Sequence, residues 1–558
     1  MDTRCAAQKH SHSSRLYEGQ GSLVTDDVLL ANASVISLDP HYPRATAVGI
    51  RGDRILWVGA VENAADDFSA SYREVDLAGS TIMPGFIDAH HHIMMFGYWL
   101  SQIDCSYPAV TSIQQLLEAV GERSAQTPAG EWILGRGYDD NKLVEHRHIT
   151  RQDLDLVSPH HPVLIRNVSG HMCVVNSVAL QRAGITRASL SPFGGHIKVD
   201  AAGEPTGLLQ ETAQDLLGMP LLPSDKSLLR GYLKTAGDAY LAAGVTSGHE
   251  AGIFSAAEFS VFQEARAEGW LALRTYMMIR TPLLQPLEEV GLVTGFGDDR
   301  LRVGSIKIVS DGSLIGRTAA VCSPYEHAAD PEDLGLAMFT QDELDDLVWR
   351  AHSAGWQVAI HAIGDRAIEM CLDAYASAQV RRPRPQARHR IEHCGVMRPD
   401  IIARMSRMGV IPVGQPPFIS EFGDGFLEHL GRDRCRLTYP LKSLLQAGLP
   451  ACGSSDSPVS SYQPLIGVQA AVTERTSSGQ DFAPSEALTV EEALSIYTRN
   501  SAYAGFDEGN KGTITPGKYA DIVVLARDPR LEPPSSIAEI PVAATIQGGN
   551  FVYEASSA

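Results

Sequence analysis

The chain has 558 residues, of which 44% are hydrophobic and 20% charged, an ordinary composition for a folded protein of more than one domain. Its formal net charge of -20 argues against general binding to nucleic acid or to an anionic membrane surface, because both need basic patches. No run of about 20 apolar residues is present that could span a membrane.

The N-terminus and the cysteines bear on the cellular location. Residues 1–25 contain no apolar segment of the kind that a signal peptide needs, and we interpret them as a disordered tail. The eight cysteines are scattered singly, and no CxxC pair occurs. A chain of this size does not depend on disulfides for its stability, so we expect reduced thiols and a cytoplasmic location.

Both ends of the chain are rich in short β-type segments. Residues 27–38 (DVLLANASVISL) and 54–58 (RILWV) are such segments, and residues 511–528 and 544–553 have the same texture. We therefore predict that residues 26–80 and 508–558 together form one small β-sandwich domain.

Between the two ends, apolar strands alternate with amphipathic helices, which is typical of parallel βαβ units. Eight parallel strands with outer helices make an α/β fold, the closed (β/α)8 barrel of TIM type. The gap after the first strand is too long for one loop, so we predict a barrel over residues 81–507 with an inserted substructure at about 98–240. The eight strand candidates are residues 81–88, 244–247, 271–279, 301–309, 356–361, 388–393, 409–413 and 450–455.

The first strand candidate ends in three histidines, within PGFIDAHHH (residues 84–92). Residues two apart point to the same side of a strand, so His90 and His92 can bind one metal ion while His91 points away. A solvated loop, or a chance cluster among the 19 histidines, is the plain alternative. This segment alone does not decide between the two.

Other predicted strand ends also carry residues that can bind metal. Active sites of such barrels lie at the C-terminal ends of the strands. Each residue alone has a structural explanation, but their joint occurrence at these ends favours a metal site. Strands four, five, six and eight carry, in that order, Lys307, His361, His393 and Asp456.

This set resembles the ligands of the amidohydrolase superfamily, and further segments narrow the resemblance to amidohydrolase family 3, which includes N-substituted formamide deformylases. The resemblance covers residues from about 27 to 553. One departure is the pair His249 and Glu250, which bears on substrate details and not on the metal site. The segments are GRGYDD (135–140), SGHMCVVNSVAL (169–180), GEPTGLLQE (203–211), SIKIVSDGSLIGRTA (305–319), HAIGDRAI (361–368), RIEHC (390–394), SSDSPV (454–459) and PGKYADIVVL (516–525).

The resemblance implies a hydrolase of carbon–nitrogen bonds other than peptide bonds, with two Zn²⁺ ions. It implies that His90, His92 and Asp456 hold the more buried ion, and that His361 and His393 hold the more exposed one. Lys307, carboxylated to N6-carboxylysine, would bridge both ions together with a water; an unmodified Lys307 beside one metal is the alternative. A metal-bound hydroxide would then attack the substrate carbonyl, with Asp456 as general base and then general acid.

Several residues are weaker candidates for contact with the substrate. His171 is expected either to donate a hydrogen bond to the substrate oxyanion or to stabilise the insertion. Asp311 and Arg317 are expected either to bind substrate or to orient loops. Cys452 is interpreted as a packing residue, because no base motif accompanies it. Aromatic residues near the strand ends predict a pocket for an apolar substituent, although most aromatics fill cores: Phe96, Tyr98, Trp99, Tyr138, Phe418 and Tyr439.

The predicted function is hydrolysis of an N-formyl amide, N-acyl amide or carbamate in a small molecule. Hydrolysis of a cyclic amide or an ester, and deamination, are alternatives on the same scaffold. Deaminases of this superfamily generally use one metal and no bridging lysine, so metal stoichiometry would separate them. A scaffold that has lost catalysis is disfavoured because the full ligand set is present. A homodimer is a family-level expectation.

Overall fold

The protein is built around eight parallel strands that pair with their neighbours in chain order. The structure, a computed structural model, describes residues 27–66, 72–218, 222–327 and 333–556, so the tail predicted at residues 1–25 lies outside the described residues. This ring confirms the predicted (β/α)8 barrel. Its strands are Phe86–His91, Val245–Ile253, Arg274–Arg280, Leu301–Val309, Val358–Ala362, Arg390–His393, Ile411–Gly414 and Cys452–Gly453.

The first and last strands meet at their C-terminal ends. The Asp456 N–H donates to His90 O over 2.8 Å, and the His92 N–H donates to Ser457 O, also over 2.8 Å. These two hydrogen bonds join the edges of the sheet where the candidate metal ligands lie.

The strand predicted at residues 81–88 was wrong as a single barrel strand. The structure divides it into Thr81–Pro84, which pairs with Ile522–Leu525 in a sheet formed by both chain ends, and Phe86–His91 in the barrel. Gly85 lies at the crossing, where a Cβ atom would approach Thr246 Oγ1 to 2.3 Å. A residue without a side chain is therefore needed where the chain passes between the two sheets.

Helices with one apolar face cover the outside of the barrel. The helix Gln341–Ser353 is representative: a capping box of Thr340 and Glu343 begins it, and Leu344 and Val348 on its inner face are buried. The α-helices that follow residue 225 are Lys226–Ala242, Ala256–Ala267, Leu284–Glu289, Gln341–Ser353, Asp365–Arg381, Pro399–Met408, Pro417–Cys435, Leu441–Gln446, Pro464–Thr473, Val490–Ile496 and Arg499–Ala504.

Two sheets that enclose one apolar core contain residues from both chain ends. Arg274 of the barrel donates to Asp521 over 2.7 Å, which ties the barrel to these sheets. One sheet has the order Arg54–Gly59, Ala47–Arg51, Asp27–Ala31 and Tyr72–Asp76. The other has the order Ser34–Val35, Thr81–Pro84, Ile522–Leu525, Val542–Gln547 and Asn550–Glu554.

A separate six-stranded sheet lies between the first and second barrel strands in sequence. Three helices accompany it: Ile113–Gln126, Arg151–Val157 and Ser177–Arg182. The later helix Lys226–Ala242 packs instead on the helix Ile93–Leu100, which directly follows the first barrel strand. In chain order the strands are Ile103–Asp104, Ile133–Tyr138, Val163–Asn167, Met172–Val175, Gly195–Val199 and Pro205–Glu211.

None of the helices in the described ranges is long and apolar enough to cross a membrane.

Candidate metal centre

His90, His92 and Asp456 converge at the C-terminal end of the barrel. One ligand atom from each residue lies within 4.8 Å of the others. Asp456 Oδ1 lies 3.3 Å from His90 Nε2 and 3.4 Å from His92 Nε2. Imidazole nitrogen and carboxylate oxygen are ligands that Zn²⁺ and similar ions prefer, so the three side chains can bind one divalent cation.

The alternation of side chains along the first strand directs His91 away from this group. Its ring packs against Tyr240, with the ring centroids 4.8 Å apart. Burial lowers the pKa of His91 to about 3, so its ring is neutral. His91 therefore lies outside the group, as the strand periodicity predicts.

His361 and His393 form a second pair beside the first group. Their ring centroids are 4.4 Å apart, and those of His393 and His90 are 4.9 Å apart. Burial is the main cause that lowers the pKa of both rings, that of His393 to about 3. Both are therefore neutral, which is the form of histidine that binds a metal.

Three of these histidines have one ring nitrogen bonded to an oxygen of the protein. His90 Nδ1 lies 2.5 Å from Glu392 Oε2. His361 Nε2 lies 3.0 Å from Gly312 O, and His393 Nδ1 lies 2.8 Å from Gln415 Oε1. Such partners fix the tautomer and the orientation of metal-binding histidines. The opposite nitrogen of each ring is then the acceptor available to a cation.

Lys307 lies on the fourth barrel strand and is almost fully buried. Its Nζ atom is 3.3 Å from His90 Nε2, so it belongs to the same cluster. Burial lowers the pKa of Lys307 to about 8. Its side chain is therefore neutral more often than an exposed lysine, and the neutral amine is the nucleophilic form.

The backbone and the ionisation of Asp456 are both unusual. The backbone φ angles of Asp456 (54°) and His393 (78°) lie in the left-handed region, which residues other than glycine rarely adopt. Burial would raise the pKa of Asp456, but hydrogen bonds from His90 and His92 and electrostatic interactions with His90 and His393 outweigh it and hold the pKa well below its usual value. Asp456 is therefore an ionised carboxylate in the barrel mouth.

A cavity of about 430 Å³ lies over these side chains, which is large enough for a small-molecule ligand. Its wall includes His90, His92, His171, Lys307, His361, His393 and Asp456. A narrow recess beside it is lined by Phe418, Tyr439, His393 and Asp456, among others. The Phe418 ring is stacked on that of His393, with centroids 6.4 Å apart.

His171 extends from the six-stranded sheet region into the same cavity. Its Nδ1 atom lies 2.8 Å from Glu211 Oε2, and Glu211 Oε1 accepts a hydrogen bond from Thr318 Oγ1. Burial would lower the pKa of His171, but the charge and hydrogen bond of Glu211 outweigh it and raise the pKa. With Nδ1 bonded to Glu211, the Nε2–H group is the donor that remains for a ligand.

The remaining substrate candidates lie in different surroundings. Asp311 is fully buried and accepts hydrogen bonds from the backbone of Ala320, Ile363 and Gly364, which favours the loop-orienting role. Arg317 is exposed, and its side chain does not line the cavity among the described residues.

Four aromatic candidates do not support the predicted substituent pocket. Tyr138 is buried in the core of the six-stranded sheet region, with its hydroxyl 3.2 Å from His148 Nδ1. It lines neither the cavity nor the recess in the described part of the chain, and the same holds for Phe96, Tyr98 and Trp99. Tyr138 is held there because a strand of the sheet ends at it and turns its ring inward.

Glu392, Glu211 and Gln415 position the histidines, and the sequence did not single them out. Arg390 and Glu392 stand two apart in a buried strand, and charges at such positions need partners. The presence of a carboxylate in this buried strand could therefore have identified Glu392 from the sequence. Its partner His90 is 302 residues away, and no pattern in the sequence identifies it.

A barrel with histidine, lysine and aspartate side chains at its C-terminal mouth is typical of metal-dependent hydrolases. Residues 73–553 match the model described as "Amidohydrolase family", and the chain belongs to this family, which confirms the assignment made from the sequence.

Known proteins resemble the chain over nearly its whole length. It is 33% identical over 522 residues to YtcJ of Bacillus subtilis (strain 168), covering 92% of this chain and 97% of that protein. It is 30% identical over 541 residues to the N-substituted formamide deformylase of Arthrobacter pascens, covering 95% and 98%. An uncharacterized metal-dependent hydrolase from Pyrococcus horikoshii OT3 superposes with a TM-score of 0.73 at 27% identity, covering 91% and 99%. The chain is a metal-dependent hydrolase that acts on carbon–nitrogen bonds.

Proposed function

We propose that this enzyme hydrolyses an N-formyl amide, an N-acyl amide or a carbamate in a small molecule, using two Zn²⁺ ions. The observation that supports this most is the convergence of four histidines, a buried lysine and an ionised aspartate on one cavity. The extended similarity to an N-substituted formamide deformylase supports the substrate class.

The chemistry of the side chains fits two divalent cations. His90, His92 and Asp456 would hold one, and His361 and His393 the other. If both cations are bound in this cavity, their charges would need an anion between them. The neutral Lys307 amine can supply it by adding CO₂ at Nζ and releasing a proton, which yields an N6-carboxylysine with two oxygens. When bound, the cations supply Lewis-acid activation of a water molecule and of the substrate carbonyl.

Asp456 is the proposed general base and general acid. Its lowered pKa keeps Asp456 ionised, and an ionised carboxylate has the lone pairs needed to accept a proton from the attacking water. The same carboxyl group then gives that proton to the departing nitrogen. An amide needs this second transfer because an amide anion is a poor leaving group.

His171 is the proposed donor to the substrate carbonyl oxygen. The charge of Glu211 raises the pKa of His171, which favours the protonated ring, and Glu211 orients the ring through Nδ1. The Nε2–H group is then available where negative charge develops on the oxygen during attack. Phe418 and Tyr439, in the recess beside His393, would contact an apolar part of the substrate. Cytoplasmic location and homodimerisation stay predictions.

A substrate panel tests the proposal. Purified, zinc-loaded protein is incubated with N-formyl, N-acetyl, carbamate, lactone and aminopurine compounds, and released amine, acid and ammonia are measured. Release of amine from one of the first three classes is expected. Turnover of only the lactone would indicate an esterase, and ammonia from only the aminopurine would indicate a deaminase.

A further inference from the structure

Arg280 is the last residue of the third barrel strand, Arg274–Arg280, and its side chain lines the cavity over the candidate metal centre. It pairs in register with Lys307 on the neighbouring strand, so it lies beside the proposed ligands. Burial lowers the pKa of Arg280 to about 10, and no charged group offsets that shift. In the ranges that the structure describes, its guanidinium has neither a hydrogen bond nor an ion pair with the protein.

Two other buried arginines of the barrel have carboxylate partners, which Arg280 lacks among the described residues. Arg390 donates twice to Glu392, and Arg274 donates to Asp521 and to Asp299. A buried charge without a partner is costly, and this chain provides carboxylate partners for both. Arg280 therefore departs from a rule that the same barrel otherwise follows.

The ring of Phe254 offsets the charge of Arg280 only in part. The guanidinium carbon lies 5.3 Å from the ring centroid, within the range of a cation–π contact. An aromatic face provides no lone pair in the plane of the guanidinium, so its five N–H donors stay available to a ligand.

The side chains around Arg280 indicate what kind of ligand the cavity could bind. Arg166 also faces this cavity, and its Nη1 donates to the neutral Gln214 over 3.0 Å, so it adds positive charge. The same wall includes the carboxylates of Glu211 and Asp215 as well as apolar side chains, and the apolar part suits a ligand with a hydrocarbon body and one anionic end. The apolar lining residues are Met95, Leu164, Leu217, Ala251, Phe254, Val309, Met338 and Val459.

We propose that Arg280 binds a carboxylate of the substrate, so that the substrates are N-formyl or N-acyl derivatives of amino acids and not of simple amines. The planar guanidinium fork matches a carboxylate, which can accept two parallel hydrogen bonds. This inference rests on the proposed function, because it names the amine component of the amide that is hydrolysed, an amino acid whose carboxylate Arg280 binds.

Two ligands that differ only in the carboxylate test this inference. N-formylphenylalanine and N-formyl-2-phenylethylamine are titrated by calorimetry into zinc-loaded Asp456→Asn protein, which binds without turnover. We expect the acid to bind at least about ten-fold more tightly, the strength of a charge-assisted hydrogen bond. Adding Arg280→Met should reduce this preference to less than about two-fold.

Arg73→Met is the matched control, because it removes the same charge from an exposed position of the strand Tyr72–Asp76. It should leave the preference for the acid unchanged. Equal binding of the two ligands, binding of neither, or a preference that survives Arg280→Met would overturn the proposal.

The metal content of the Arg280→Met protein excludes a different role. If Arg280 only balanced the charge of a carboxylated Lys307, the variant would lose metal and would bind both ligands equally poorly, which also overturns the proposal. Hydrolysis of the same two compounds by the protein with Asp456 intact is measured separately. A binding preference without any hydrolysis would refute the proposed function while leaving the carboxylate site in place.

Discussion

Replacing Glu392 by Gln removes the negative charge that Arg390 and His90 share. Both side chains of the Glu392–Arg390 pair have 0% exposure, and the carboxylate accepts from Arg390 Nε over 2.8 Å and from Nη2 over 3.0 Å. Gln has nearly the same volume, so packing is preserved. What changes is that Arg390 becomes a buried charge without its counterion, and the partner of His90 Nδ1 becomes a neutral amide.

The expected magnitudes follow from those two losses. Removing one partner of a buried ion pair costs about 3–5 kcal/mol of unfolding free energy. Loss of a carboxylate behind a metal-binding histidine lowers metal affinity about 10–100-fold, or roughly 1.4–2.7 kcal/mol. The loss of unfolding free energy in the metal-free protein should therefore exceed the loss of metal-binding free energy.

Urea denaturation with chelator present measures the first quantity, and zinc competition with a coloured chelator measures the second. Glu369→Gln is the control, because Glu369 also pairs with an arginine, Arg398, but both side chains are at least one-third exposed. A surface pair of that kind contributes about 0–1 kcal/mol. If Glu392→Gln changed neither quantity more than this control, the orienting role of Glu392 would be refuted.

Three further predictions concern the metal centre and its neighbours. Removal of metal by a chelator should lower the midpoint of thermal unfolding and abolish turnover, and added Zn²⁺ should restore both. The expected size of the effect is about 4 kcal/mol of unfolding free energy, the contribution of a ligand present at about 1,000 times its Kd. Equal midpoints with and without chelator would contradict a metal bound in the barrel. Lys307→Met should lower the metal content, and bicarbonate should speed zinc activation of the unmodified protein but not of this variant; activation independent of bicarbonate would argue against a carboxylysine. Glu211→Gln should lower the pKa of His171, because the charge of Glu211 raises it. Activity that needs the protonated His171 ring should then be lost at a lower pH. An alkaline limb of the pH–rate profile that does not move would exclude His171 as the donor to the substrate oxygen.

The sequence predicts the barrel because strand and helix periodicities are local. All eight strand candidates lie at or near observed barrel strands, and the histidine, lysine and aspartate side chains at their ends converge as a parallel barrel requires. Residues 81–88 misled the prediction because apolar character does not reveal that a strand changes sheets at Gly85.

The partners of the ligands depend on contacts between distant residues. Glu392 lies 302 positions from His90, and Glu211 lies 107 from Thr318, so neither pair leaves a pattern that one sequence can show. Tyr138 shows the converse. Its motif can be recognised in the sequence, but its ring packs into the core of the six-stranded sheet region and not into the cavity. A motif thus fixes where the chain passes more reliably than which way a side chain points.

Turnover and metal content of Asp456→Asn, measured on one zinc-loaded sample, test the central claim most directly. The account predicts a fold unchanged by circular dichroism, retention of much of the metal, and a fall in kcat of at least about 100-fold on the best substrate of the panel. Asp400→Asn, at an exposed position, should match the unmodified enzyme in all three. An Asp456→Asn protein that hydrolyses the same substrate at close to the unmodified rate would contradict the account.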